Sequence, residues 1–236
     1  MGRPAKHNKR DIVNAVLHVA ATGCQWRSLP DSYPNWSTVH NYHLEWSRNG
    51  TWERVADRLR VLVRVQAGHD PHPSASIIDA RTVRGASTVT SATRGYDAGK
   101  KISGRKTFGL VDTLGLLFAV VVMSASTSDN TGGIEAFNAG KRKSRRLTKV
   151  WCDSGFKKTF QQHCRDRNVD AEVVTKIHPG EFVVEPQRWI IERTWAWLMG
   201  NRRLQIDYER DPDAHVGFVW AAHSRLLLRR LTNHSQ

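Results

Sequence analysis

Apolar residues recur at helical spacing in the first quarter of the chain. Residues 9–21 place their apolar side chains on one broad face, and a second helical segment, "TVHNYHLEW", follows a candidate N-cap at Ser37. A third helix is expected to open at Thr51, after an Asn-Gly pair. Three short helices around a proline-punctuated turn are typical of a helix-turn-helix unit, although any small helical bundle has the same pattern. The pattern predicts a helical N-terminal DNA-binding module over residues 1–68.

The periodicity changes after "GHDPHPSA", where two prolines and a glycine separate a helix from a strand. A short apolar strand is predicted at residues 76–80, and two more flank a "DTLG" turn. The polar, basic stretch between them, residues 87–106, is predicted to be an exposed arm. Further along, strands in "LTKVWCDSGF" and "AEVVTKI" alternate with helices, and the last helix opens at Asp211-Pro212. This order predicts an α/β domain with a mixed sheet and flanking helices over residues 76–236.

Three acidic residues stand where apolar residues are expected. Asp79 ends the apolar strand "SIID", Asp153 ends "KVWCD", and Glu192 lies within the apolar helix "RWIIERTWAWL". Strand ends of α/β sheets are where ligand sites collect. Carboxylates brought together from three segments repel one another unless cations lie between them, and a pair of divalent cations acts on phosphates. The structural alternative stays open, because strand-end aspartates often form turns and helical glutamates often pair with arginines at the surface.

The charge of the chain favours a polyanionic partner. Lys and Arg number 36 against 22 Asp and Glu, a net charge of +14, which favours nucleic acid over a membrane. A solvated charged face is the alternative for any one basic cluster, including "KRKSRR". Trp195, three residues after Glu192, could stack on a splayed base, whereas Trp197 is predicted to lie in the core. The candidate DNA contacts are Arg188, Arg193, Trp195, Arg202, Arg203, Lys100, Lys101, Arg105 and Lys106.

Several protein classes are disfavoured. The longest apolar run, residues 115–123, is much shorter than the roughly 20 residues that span a bilayer, and the N-terminus lacks an apolar signal segment. Cys24, Cys152 and Cys164 have no paired or C-x-x-C spacing, which disfavours a zinc site and fits a reducing compartment. No Walker, dinucleotide-binding or G-x-S-x-G motif occurs. We therefore expect a cytoplasmic protein without a membrane partner.

Four blocks of the sequence resemble a known family. They are "IIDARTV", "GRKTFGLVDTLGLLFAVVV", "VWCDSGF" and "RWIIERTWAWLMGNRRLQIDYE". Their order and spacing are similar to those of bacterial insertion-sequence transposases of the DDE class, in the family four/five superfamily and nearest to family five. The segment from "GRPAKHNKRD" to "CQWRSLP" is similar to the helical N-terminal module of that group. The similarity covers nearly the whole chain.

The resemblance implies a ribonuclease-H-like catalytic domain that binds two Mg²⁺ ions, with Mn²⁺ able to substitute. Asp79, Asp153 and Glu192 would be the catalytic, metal-binding acids. Arg188 with Glu192 matches the family's R-x-x-x-E element. The chain departs from the superfamily where Glu185 replaces a tyrosine and Met199 replaces a lysine. Arg202 and Arg203 could replace that lysine.

The resemblance also implies a function and partners. We expect a transposase that cleaves the terminal inverted repeats of its element and joins them to target DNA, at the nucleoid, as a homodimer or larger assembly on DNA. Two alternatives remain. One is a catalytically inactive, truncated or domesticated copy that binds DNA, since relatives carry a Trp-bearing segment ahead of the "GRP" that follows Met1 here. The other is a nuclease of the same fold.

Overall fold

Helices from both ends of the chain cover a central mixed sheet. The computed structural model describes residues 7–174 and 186–233. Its elements in chain order are α1 (Lys9–Thr22), α2 (Trp36–Arg48), α3 (Thr51–Gln66), β1 (Ala75–Gly85), β2 (Gly95–Asp97), β3 (Ile102–Asp112), β4 (Leu117–Ser124), α4 (Asp129–Lys143), β5 (Lys149–Cys152), α5 (Lys158–Arg165), β6 (Asp170–Val173), α6 (Pro186–Met199), β7 (Ile206–Asp207) and α7 (Pro212–Asn233). The predicted order of helices and strands is confirmed, with the short strands β2 and β7 added.

The three N-terminal helices form where they were predicted, with one change of cap. The side chain of Asn35, not of Ser37, caps α2 by accepting a hydrogen bond from the Ser37 amide. Helix α1 ends at Gly23, whose φ of +70° favours glycine. Buried residues of α1 and α2 share one hydrophobic core with Phe218 and Trp220 of α7. The helical segment is therefore packed onto the C-terminal helix, and its extent as a separate module, residues 1–68, remains a prediction.

The sheet combines an antiparallel half with a parallel half. Strands β4, β3 and β1 pair antiparallel, and β1, β5 and β6 pair parallel. Strand β2 extends the pairing of β3 at one end, and β7 pairs with the end of β1. Residues of α6 and α7 share a core with one face of the sheet, and residues of α4 and α5 share a second core with the other face. The predicted fold class, an α/β fold with a mixed sheet and flanking helices, is confirmed.

Two predictions about the first strands are corrected. Strand β1 continues to Gly85, well beyond the predicted end at residue 80. The segment 87–106 is not an exposed arm throughout, because it contains β2 and the first half of β3. Gly104 permits this arrangement, since a Cβ there would lie 2.0 Å from the carbonyl oxygen of Val83. The basic end of the segment consequently turns into the protein.

The remaining predictions concern the second half of the chain. Strand β6 covers the first part of "AEVVTKI", and the rest of that stretch and most of the following loop, with Glu185, lie outside the described residues. Across residues 7–174 and 186–233, no helix combines the length and apolar character needed to cross a membrane.

Candidate active site

Asp79 and Asp153 lie side by side because of the strand register. Strands β1 and β5 run parallel, with Ile77 paired to Trp151, so Asp79 within β1 and Asp153 directly after β5 each follow two residues later. Side chains alternate along a strand, and the two aspartates therefore point to the same face of the sheet as Ile77, the face that α6 covers. Both line one open pocket.

The carboxyl group of Asp79 is the most perturbed acid of this pocket. Burial raises its pKa to about 6, and the charge of Asp153 adds to the effect. The amide of Ala80, the charge of Lys100 and a hydrogen bond from Trp195 act in the opposite direction. Two repelling carboxylates at a partly buried site form a pocket where a positive ligand would be stabilised.

Asp153 also has a structural role. Its Oδ1 accepts a hydrogen bond from the Gly155 amide at 2.8 Å, which closes the turn after β5. The turn-forming alternative is thus realised, although the same side chain lines the pocket. The preceding Cys152 points to the opposite face and is buried in the second core, as expected. Burial raises the pKa of its thiol to about 12, which leaves it unreactive near neutral pH.

Glu192 lines the same pocket from α6 but is engaged elsewhere. Its Oε1 accepts a hydrogen bond from Nε of Arg188 at 2.8 Å, and both side chains are about half exposed. The ion pair that was the structural alternative is present. Within the described residues, no three His, Cys, Asp or Glu side chains are close enough to hold a metal ion together. The structure therefore brings the three acids to one pocket without assembling them into one coordination group.

Trp195 supports Asp79 and is not available to stack on a base. The residue is only 5% exposed, and its indole Nε1 donates a hydrogen bond to Asp79 Oδ2 at 3.0 Å. Gly109 of β3 is paired with Asp79 of β1. It makes room for the indole, because a Cβ at this position would lie 2.8 Å from the Trp195 ring. A glycine inside an apolar strand was the sequence signal for this close approach. The expectation of base stacking by Trp195 is replaced by a positioning role.

Two of the predicted basic contacts lie at the pocket. Arg188 lines it beside Glu192, and Lys100 lines it from the turn before β3, where its Nζ donates to the Ala80 carbonyl at 3.2 Å. Lys101, next to Lys100, is exposed, and so is Arg202 beyond the end of α6. These four cations remain accessible to a DNA backbone.

Three other predicted contacts are buried and neutralised within the protein. They are Arg105, Lys106 and Arg203, at 1%, 8% and 7% exposed. The Arg105 guanidinium donates to the Asp207 carboxylate at 2.9 Å. The other two residues bind Asp129 and Glu209, respectively, in the same way. Because all three cations are already paired with carboxylates, and those of Asp207 and Glu209 are buried, we revise the expectation that they bind DNA.

Arg193 is half-buried on α6 and does not line the pocket. Its guanidinium lies over the rings of Trp189 and Trp197, at 4.3 and 4.7 Å from their centroids. Trp197 is 40% exposed, so its predicted place in the core is wrong. The side chain is accommodated at the surface because Arg193 and Arg230 stack on its ring.

The "KRKSRR" cluster is largely used within the protein. Lys143 pairs with Glu53 and Asp57 of α3, and Arg146 pairs with Asp70. These ion pairs join the end of α4 to the helical segment. Neither a solvated charged face nor a DNA-binding cluster, the two roles considered for this stretch, describes these ion pairs.

One pocket residue was missed by the sequence reasoning. Arg81 follows Asp79 by two positions on β1, and its side chain lines the pocket from the same face. The strand was predicted to end at residue 80, so the alternation that places the two side chains together was not extended far enough. The signal was present in the β-branched residues of "RTV", Thr82 and Val83, which favour a strand.

Comparison with known proteins connects this pocket to a family. A family model described as "Transposase DDE domain" matches residues 70–227, and one described as "Putative transposase of IS4/5 family" matches residues 1–56. A protein of Burkholderia cepacia described as "Putative transposase for insertion sequence element IS402" is 32% identical over 71 residues. The aligned region covers 30% of this chain and 34% of that relative.

Solved structures also match this chain. The catalytic core domain of BIV integrase superposes with a TM-score of 0.41 and 11% sequence identity. The match covers 69% of this chain and 99% of that chain.

Proposed function

The chain belongs to the DDE-domain transposases of the IS4/5 type, and we propose that it cleaves the ends of an insertion sequence and joins them to target DNA. The observation that carries this proposal is the shared pocket of Asp79, Asp153 and Glu192, which Arg188 and Lys100 also line. Acids and cations that line one pocket suit a phosphodiester that must be bound and attacked in one place.

We propose that Asp79 and Asp153 hold two divalent cations, with Glu192 completing the second site. Carboxylate oxygens are the ligands that Mg²⁺ prefers, and Mn²⁺ could replace it. These carboxylates suit a divalent cation chemically. A cation beside Asp79 would offset the repulsion from Asp153, which contributes to the raised pKa of Asp79. Glu192 would have to release Arg188 in order to join them. When bound, the cations would supply the charge that makes an attacking water or DNA 3′-hydroxyl more acidic and stabilises the leaving oxygen.

The protein's own residues would prepare this chemistry. Trp195 would hold the Asp79 carboxylate in one orientation through its indole N–H. Lys100 and Arg188 would bind phosphates beside the scissile bond, and Arg188 would become free to do so when Glu192 turns to a cation. The charged residues thus exchange partners when the substrate binds, so that no buried charge is left unpaired.

The remaining parts of the proposal concern the whole chain. We propose that residues 1–68 recognise the terminal inverted repeats and that residues 76–236 carry out catalysis. Cutting two ends together requires at least two active sites, so a homodimer or larger assembly on DNA is proposed. Because the substrate would be DNA, the protein would act at the nucleoid in the bacterial cytoplasm.

The test is cleavage of a duplex cut from the inverted repeats that flank the coding sequence. Wild type should nick this duplex at the repeat end only when Mg²⁺ or Mn²⁺ is present, and Asp153→Ala should show no detectable nicking. Asp31→Ala is the matched control, because Asp31 is an exposed aspartate in the turn before α2, away from the pocket. Equal nicking by wild type and Asp153→Ala would refute the assignment.

Two further outcomes would identify the alternatives. Binding to the repeats that persists in chelator, with no cut product under any metal, would indicate a DNA-binding protein without catalysis. Hydrolysis without joining of a pre-cut end to target DNA would indicate a nuclease. Strand transfer of the pre-cut end by wild type separates the transposase from both.

A further inference from the structure

Arg81 is a pocket residue that neither the resemblance nor the proposed mechanism uses. Antiparallel pairing of β1 with β3 continues through Arg81, which is opposite Thr107, so the strand is regular at this point. Two residues of a strand span about 6.6 Å, at about 3.3 Å per residue. The guanidinium therefore projects from the same face as the Asp79 carboxylate, roughly one strand repeat further along.

The charge of Arg81 is without a partner in the described part of the chain. Its Nε is shielded from water and donates no hydrogen bond there, and the guanidinium forms no ion pair within 4 Å in the same residues. Asp79 attracts it only at longer range. Arg64 and Arg105, which are more deeply buried, differ from Arg81 because they are bound directly to Asp112 and Asp207. A partly buried cation without a partner costs free energy, which an anionic ligand would offset.

The positions of Arg81 and Arg188 indicate how an anionic strand would lie along the pocket. Arg188 lies toward Ile77 and Asp153, with which it lines a second small pocket. Arg81 lies on the other side of Asp79 along β1. The two guanidinium groups therefore bracket the acids along the strand direction. A DNA strand whose scissile phosphate lies at the acids would place its neighbouring phosphates toward the two arginines.

We propose that Arg81 binds the phosphate next to the scissile phosphate, on the side away from Arg188, and so sets the register of the DNA strand in the pocket. This inference rests on the proposed function, because it requires the pocket to hold DNA. A guanidinium can donate two parallel hydrogen bonds to one phosphate, which fixes position as well as supplying charge. Arg81 acts here as a binding residue and does not touch the reacting atoms.

The first test is the salt dependence of binding to the flanking-repeat duplex, with Ca²⁺ as a cation that supports binding without cleavage. Losing one phosphate contact should reduce the slope of log K against log salt by about 0.9. Arg81→Gln should show this reduction and bind about tenfold more weakly or worse, the factor expected for one charge-assisted hydrogen bond. Arg81→Lys should recover the slope but not the full affinity. The matched control is Arg84→Gln, because Arg84 is exposed on the opposite face of β1 and should behave as wild type.

The second test locates the contact on the DNA. Single phosphates around the cleavage position are replaced by neutral methylphosphonates, one at a time, and each duplex is bound to wild type and to Arg81→Gln. At one phosphate beside the cleavage position, the replacement should weaken wild type and leave Arg81→Gln unchanged, whereas effects at all other positions should add to that of the variant. Additive effects at every phosphate would overturn the inference.

The outcomes separate this inference from the proposed function. If Arg81→Gln keeps the wild-type slope but is stabilised more than wild type by Ca²⁺ in a thermal-unfolding assay, Arg81 only balances the charge of Asp79, and the inference fails while the proposed function stands. If wild type cleaves the duplex and Arg81→Gln matches it in slope and affinity, the inference fails alone. If wild type neither binds nor cleaves the duplex, both fail.

Discussion

Replacing Asp79 with asparagine tests the electrostatics of the pocket directly. The change keeps the shape of the side chain and removes its charge. The Asn Oδ1 can still accept the hydrogen bond that Trp195 donates to the carboxylate at 3.0 Å. The backbone amide of Ala80, which also stabilises the charged form, faces the same side chain. The variant therefore removes the buried negative charge while it keeps an acceptor for Trp195.

The sign and size of the effect follow from the pKa of Asp79. Because the folded protein raises this pKa from 3.8 to about 6, ionised Asp79 destabilises the metal-free fold. The destabilisation is negligible below pH 3.8, grows as the pH rises from there to about 6, and is complete above pH 6. At about 1.4 kcal/mol for each tenfold change in the ionisation equilibrium, the full effect is about 3 kcal/mol. Asp79→Asn should therefore be more stable than wild type by about this amount at pH 8, and by about half of it at pH 5.

The assay is urea unfolding in chelator at several pH values, repeated with Mg²⁺. Added Mg²⁺ should stabilise wild type at pH 8 but not Asp79→Asn, because the variant has lost the negative charge of one of the proposed cation ligands. Asp31→Asn is the control for a general loss of negative charge and should show neither effect. A variant that is equally or less stable than wild type at pH 8, or a difference that does not change with pH, would refute the reasoning.

Three other substitutions probe how the pocket is supported. Gly109→Ala should cost about 1–3 kcal/mol in urea unfolding, because the added methyl would meet the Trp195 ring at 2.8 Å, whereas Gly99→Ala meets only an ordinary contact and should cost much less. Trp195→Phe should raise the pKa of Asp79 above 6 by removing a hydrogen bond to its charged form; an NMR titration showing no rise would contradict this. Arg105→Met should lower the free energy of unfolding by about 3–5 kcal/mol, because it removes the guanidinium from the buried Asp207 carboxylate and from the carbonyls of Glu209 and Arg210. The salt slope of DNA binding by the Arg105 variant, measured where it is folded, should equal that of wild type, and a reduced slope would restore the residue as a DNA contact.

The ion pair of Arg188 with Glu192 explains why the three acids share a pocket without forming one group. The pair is about half exposed, and exposed pairs contribute only about 0–1 kcal/mol, so a stronger ligand can separate it. A cation bound by the acids would take Glu192, and a phosphate bound in the pocket would take Arg188. The unbound protein thus keeps both charges satisfied until the substrate replaces them.

The order of elements and the position of the acids could be predicted from the sequence because they depend on local patterns. A run of apolar residues that reaches an aspartate is visible at Asp79, inside β1, and at Asp153, just after β5, and the parallel pairing of the two strands places these positions side by side. The helix that carries Glu192 follows from its apolar periodicity. These features need no knowledge of distant residues, since strand alternation and helical spacing act within a few positions.

Only the tertiary structure shows which basic and aromatic side chains are buried, paired or exposed. Arg105 looks like an exposed cation until Asp207, 102 positions away in the chain, is seen to bind it. Trp195 shares the Glu192 side of its helix, yet only the packing of α6 against Gly109 shows that its ring faces inward. Arg81 is distinguished by having no such partner among the described residues. Whether a charge is exposed, neutralised or left for a ligand depends on which distant side chains fold against it, and no local pattern contains that information.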